Sequence, residues 1–83
     1  MIICETAGVQ KLRMEDDAFD QFASNCLRRF FSEDWGDLCD EDKKANADNG
    51  TQYRFAKYKG PKDIYIITEH DGSVTTILFP DEY

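Results

Sequence analysis

Between Glu33 and Asp42 the chain sets six carboxylates into ten positions: Glu33, Asp34, Asp37, Asp40, Glu41 and Asp42. Trp35 stands among them, and no lysine or arginine does. Carboxylates at this density suit three kinds of chemistry. They can ligate a hard cation, work as an acid–base pair, or offer an anionic surface to a basic partner. The downstream stretch DEDKKANADNGT lacks the alternate ligands, central glycine and closing glutamate of a calcium loop, so no metal is expected. A glycosidase-like pair needs a substrate groove, and a domain of 83 residues offers little concavity for one.

Other catalytic groupings fare no better. Cys39 and His70 are a formal thiol–imidazole pair, but a reactive thiolate needs positive surroundings and Cys39 is followed directly by Asp40. Cys4, Cys26 and Cys39 form no CxxC pair, and a zinc site built from them with His70 would have no familiar spacing. An odd number of thiols fits a reducing compartment better than a disulfide framework. There is no phosphate-binding loop and no triad motif. The sequence therefore predicts no catalytic residue, no cofactor and no enzyme activity.

The third chemistry, a charged docking surface, agrees with the charge distribution. The net charge is −7, and residues 1 to 42 carry all of it, with eleven acids against four bases. Residues 43 to 83 hold six of each. Such a surface repels nucleic acid and anionic lipid and attracts basic protein, so neither direct nucleic-acid binding nor membrane binding is expected. No apolar run approaches the roughly 20 residues of a membrane span, and Met1-Ile2-Ile3-Cys4 is too short for a signal peptide, which places the protein in the cytoplasm. Trp35 has two readings. It is a core residue whose indole N–H finds a carbonyl, or a partly exposed anchor rimmed by Glu33, Asp34 and Asp37.

The elements that must position these groups amount to one domain, residues 1 to 83. Ile2 to Glu5 is a short extended segment, broken at Gly8. From Glu15 onward, Phe19, Phe22, Ala23, Cys26, Leu27 and Phe30 recur at helical spacing on one stripe. Glu15, Asp16, Asp17 and Asp20 lie in the opening turns and Arg28 and Arg29 near the close, as the helix dipole favours. A shorter second helix is predicted from about Asp40 to Asp48, stopped by Asn49-Gly50, with Asp37 or Asp40 as its cap. Capping explains two or three of the acids, not six.

From Thr51 the period falls to two, through Tyr53 and Phe55; Gly60-Pro61 then turns the chain into the β-branched run Ile64 to Thr68. Asp71-Gly72 between IYIITE and SVTTILF signals a hairpin, and Pro80 ends the last strand. The fold class expected is α+β: two layers, with one main amphipathic helix and a short second one packed on a three-stranded antiparallel meander.

The run DWGDL, then ED and Asn46, then IYIITE and SVTTILFPDEY, resembles a family of small proteins found on bacterial plasmids, phages and other mobile elements, to which no activity is assigned. The resemblance covers roughly residues 30 to 83, with a shorter connection here between Asn46 and Tyr53. It implies a mobile-element origin and a bacterial host. Small acidic proteins of that origin are often inhibitors of host defence, of the anti-CRISPR or anti-restriction type. The function expected is thus a small acidic inhibitor of a host nucleic-acid-handling defence complex, acting as a DNA mimic or by charge complementarity alone. Glu33, Asp34, Trp35, Asp37, Asp40, Glu41 and Asp42, supported by Asp16, Asp17 and Asp20, would dock on the basic surface of a nucleic-acid-binding effector subunit. The alternative is a regulatory or toxin–antitoxin-like interaction module using the basic–aromatic strand around residues 53 to 62, where Arg54, Lys57, Lys59 and Lys62 interleave with Tyr53, Phe55 and Tyr58. Lysines there also suit a solvated edge strand.

Overall fold

The computed structural model describes residues 2–37, 41, 43–44, 54–69 and 72–82. A first strand, β1 (Ile2–Glu5), leads into helix α1 (Ala7–Glu15) and then helix α2 (Asp17–Phe31). Strands β2 (Arg54–Tyr58), β3 (Ile64–Thr68) and β4 (Val74–Leu78) follow, and a 3-10 turn at Pro80–Glu82 closes the described chain. No described helix is long and apolar enough to cross a membrane.

Helix α2 forms where the periodic stripe predicts it. Phe19, Ala23, Cys26 and Phe30 are buried and Phe22 and Leu27 pack beside them. The Asp16 carboxylate accepts the Phe19 N–H at 3.1 Å, so an aspartate supplies the cap. The same residue ends α1, donating its own N–H to the Leu12 carbonyl, so the two helices meet at a single residue.

Helix α1 itself was not expected. Thr6 caps it, and Gly8, read from the sequence as a break, lies inside its first turn. The helical signal is weak because Val9 alone is fully buried on this element and Leu12 only partly. The short helix expected at 40–48 lies mostly outside the described residues; Glu41, Lys43 and Lys44 within it have helical backbone.

The sheet has four strands in the order β1-β4-β3-β2, where three were expected. The antiparallel pairs β2–β3 and β3–β4 are as the sequence predicts, and the hairpin closes with Gly72 at φ +73°. His70 and Asp71 at its tip lie outside the described residues. The correction concerns β1, which pairs in parallel with β4, Ile2 opposite Val74 through Glu5 opposite Ile77. A mixed sheet results. Nothing local could reveal this, since the partners lie at opposite ends of the chain and Ile2 and Ile3 remain mostly exposed.

One face of the sheet carries Ala56, Tyr58, Ile64, Ile66, Thr68, Thr75 and Ile77, all buried. They pack against the helices, and Thr68 and Thr75 satisfy each other across strands at 3.0 Å. Period-two alternation sends Phe55, Lys57, Tyr65, Ile67 and Thr76 to the opposite face.

Candidate functional site

The acid-rich stretch begins as the stop of α2. Glu33 and Asp34 donate their N–H groups back to the carbonyls of Phe30 (3.1 Å) and Arg29 (2.8 Å), the paired bonds of a Schellman ending. That ending requires a left-handed residue, usually glycine, and here it is Glu33 at φ 64°. Glu33→Gly should therefore raise stability by about 0.5–1 kcal/mol, read as a higher urea midpoint at unchanged slope.

Asp34 then folds inward. Its carboxylate accepts from Arg29 Nε (2.8 Å), Arg29 Nη2 (3.2 Å) and the Gly36 N–H (3.2 Å), while its carbonyl accepts the Tyr58 hydroxyl at 2.7 Å. The hydrogen bonds from Arg29 and Gly36 hold the Asp34 carboxyl below its ordinary value of 3.8. A depressed carboxyl stabilises the fold above that ordinary value, and the contribution disappears as pH falls through the depressed range. Asp34→Asn should thus destabilise at pH 7 and narrow the stability difference between pH 7 and pH 3, a contrast that urea melts at both pH values measure. Burial pushes the Tyr58 phenol up, so it stays a proton donor to Asp34.

The next residues lie along the edge of β2. Lys57 donates its N–H to the Trp35 carbonyl (3.3 Å), and Asp37 donates to the Lys57 carbonyl (2.8 Å), a parallel bridge centred on Gly36. Trp35 is 5% exposed and meets Phe30 edge-on at 5.3 Å, with the Arg54 guanidinium 5.3 Å above its ring. It is a core residue whose side chain fixes the turn. Much of the acid-rich turn is thereby explained as structure: it ends a helix, clamps an arginine and covers a strand edge.

The remaining expected acids are not gathered on one face. Glu33 pairs with Arg54 at 3.4 Å and Asp34 with Arg29. At the far end of α2, Asp16 caps the helix and Asp20 is held at 2.7 Å by Arg13, which also grips Glu5 at 2.7 Å and Ser24 at 3.1 Å. Asp17 is exposed in the first turn. At about 1.5 Å of rise per residue, Asp17 and the C-terminal end of α2 stand roughly 20 Å apart. Glu41 and Asp37 are exposed; Asp40 and Asp42 lie outside the described residues. The sequence shows the acids but not their arginines, because the Glu33 to Arg54 pairing is a product of the tertiary fold.

The basic–aromatic strand divides by the same alternation. Arg54 turns to the inner face against Trp35, whereas Lys57 lies on the outer face with its ammonium 5.9 Å from the Phe55 ring centre and 5.7 Å from that of Tyr65. Lys62 lies over Phe79 at 4.2 Å, a geometry that favours a cation. Tyr53 lies outside the described residues. A cleft of about 340 Å³ opens beside this strand between Asp37, Lys57, Lys59, Asp63, Tyr65 and Pro80. Sequence reasoning did not join Asp63 and Pro80 to the lysines, although Gly60-Pro61 already turned the chain back at that point.

Burial raises the Cys26 thiol to about 11 and makes it a packing residue, whereas Cys4 is exposed. Cys39 and His70 lie outside the described residues. Among the described residues no three histidine, cysteine or acidic side chains are grouped to hold a metal ion. Compared with protein-family models, with curated proteins and with solved structures, the chain matches none.

Proposed function

We propose that this chain acts by occupying a surface of another protein, and that its working surface is the outer face of β2 and β3, with Lys57 and Lys59 at the centre. The observation that carries this reading is the contrast in charge satisfaction. Glu33, Asp34 and Asp20 are matched by Arg54, Arg29 and Arg13, so they attract a basic partner weakly. Lys57 and Lys59 have no carboxylate partner among the described residues, and Lys57 rests on two aromatic rings that offer contact area. Aromatic area is enriched at interface centres, and the unpaired cations beside it would complement an acidic partner surface.

A second reading, the anionic inhibitor of a host nucleic-acid-handling defence complex, is favoured by one observation. Glu33 occupies a left-handed position that glycine fills without strain, and its side chain is 64% exposed. Strained side chains kept on a surface are often functional. In this reading Glu33, Asp37 and Glu41 meet a basic groove.

Charge reversal separates the two. The tagged protein is used to capture a partner from bacterial lysate, and the captured species is quantified against two variants. Lys57→Glu with Lys59→Glu should weaken capture by about tenfold or more, the equivalent of about 1.4 kcal/mol. Glu33→Lys with Glu41→Lys should leave it within about twofold. The opposite pattern overturns the first reading and supports the anionic inhibitor.

A further inference from the structure

Two ammonium groups and two carboxylates line the cleft beside β2, and their placement is unusual. Lys57, Lys59, Asp37 and Asp63 are all exposed, yet no ion pair joins any of them to each other or to another described residue. The backbone explains why they stay apart. Asp37 is fixed at the sheet edge by its N–H bond to the Lys57 carbonyl, which commits its backbone to the strand edge. Lys57 points to the outer face, where its ammonium is drawn over Phe55 and Tyr65. Asp63, immediately before β3, and Lys59, immediately after β2, flank the turn at 60–62 beyond the paired Tyr58 and Ile64. Exposed charges of opposite sign gain little from reaching each other through water, so a cleft of this shape leaves both signs available.

From this juxtaposition we infer that the cleft binds a zwitterionic ligand of amino-acid to dipeptide size, its carboxylate toward Lys57 and Lys59, its ammonium toward Asp37 and Asp63, and its apolar side chain against Tyr65 and Pro80. The volume of about 340 Å³ falls at the small end of the roughly 300–1,000 Å³ usual for ligand pockets, which favours a ligand of this size. A ligand bearing one charge alone would meet two like charges in the cleft lining as well as two opposite ones. The ligand must therefore carry both signs. The same chemistry is offered by a free amino acid and by neighbouring basic and acidic side chains on a polypeptide. The inference deepens the reading of the β2–β3 face as the working surface and rests on it.

The test is a titration of the isolated protein followed by amide NMR, reading the signals of residues 56 to 65. The probes are L-phenylalanine, its N-acetyl form, its amide, the doubly blocked N-acetylphenylalanine amide, and a blocked Lys-Asp dipeptide. The expected result is a dissociation constant of about 1 mM or tighter for phenylalanine, for the blocked peptide or for both, with the singly charged and uncharged forms at least about tenfold weaker. Whichever of the two zwitterions binds better identifies the source. Lys57→Gln with Asp63→Asn should abolish the response while the rest of the spectrum stays in place, showing that the fold is intact. Silence toward both zwitterions, or equal binding of the doubly blocked form, overturns the inference. Because no partner is present in this titration, its failure alongside an intact Lys57 and Lys59 effect on capture removes the cleft and leaves the protein-binding face. A bound zwitterion with no such effect upholds the cleft and removes the face.

Discussion

Replacing Trp35 with alanine lowers the free energy of unfolding by about 3–5 kcal/mol, the range for removing a large buried aromatic side chain. A domain of this size holds roughly 4–12 kcal/mol in all, so the variant should be at the margin of folding at 25 °C. The loss has two parts: the indole fills space against Phe30, and it supports the Arg54 guanidinium above its ring; the backbone carbonyl that takes the Lys57 N–H is kept by alanine. Urea unfolding followed by far-UV circular dichroism measures the change, since the variant has no tryptophan to report fluorescence. Trp35→Phe should recover part of the stability, because it restores an aromatic contact with Phe30. A Trp35→Ala protein as stable as the wild type would make Trp35 a surface anchor, against the burial described above.

Gly36→Ala is expected to cost about 3 kcal/mol or more, by adding the strain of a left-handed residue to a backbone collision. Gly36 has φ +71°, and an added Cβ would overlap the Lys57 carbonyl oxygen and press on the Tyr58 ring. Neither obstacle is the free end of a flexible chain. The turn must then lift from β2, and the Tyr58 to Asp34 hydrogen bond lifts with it. In a thermal melt the midpoint should fall by roughly 12–24 °C, given about 4–8 °C per kcal/mol for a domain of this size. A shift of only a degree or two would show that the turn is not held on the strand.

How far the sequence foretells these results depends on whether the signal is local. The stripe from Phe19 to Phe30 and the hairpin around Asp71-Gly72 are local, and both elements form where expected. Asp16 was expected only as an acid of the opening turns; that it caps α2, with Glu15 belonging to α1, follows from the meeting of the two helices at this residue. Helix α1 was not, because its single fully buried residue, Val9, leaves no periodic stripe to detect. Strand β1 was seen as an extended segment, but its parallel pairing with β4 joins residues about 72 positions apart, where neither turn chemistry nor pattern carries information.

The site shows the same division. That six acids crowd one stretch is plain from the residue types; that Arg54 reaches back to Glu33, and that Arg13 bridges β1 and α2, becomes visible only once the layers are packed. The separation of Arg54 from Lys57 was available earlier. Residues three apart in a strand face opposite sides, so Arg54 does not share a patch with Lys57.

The central physical claim is that the acid-rich turn is part of the sheet, bound to the edge of β2 through Gly36, and so serves the fold before it serves any partner. Amide hydrogen exchange at Asp37 and Lys57, followed by NMR under native conditions, tests this most directly. The account predicts that both amides are protected together and that protection at both collapses in Gly36→Ala. Exchange of the Asp37 amide at the rate of an unstructured peptide, with Lys57 protected or not, would contradict it and return the turn to solvent as a free anionic surface.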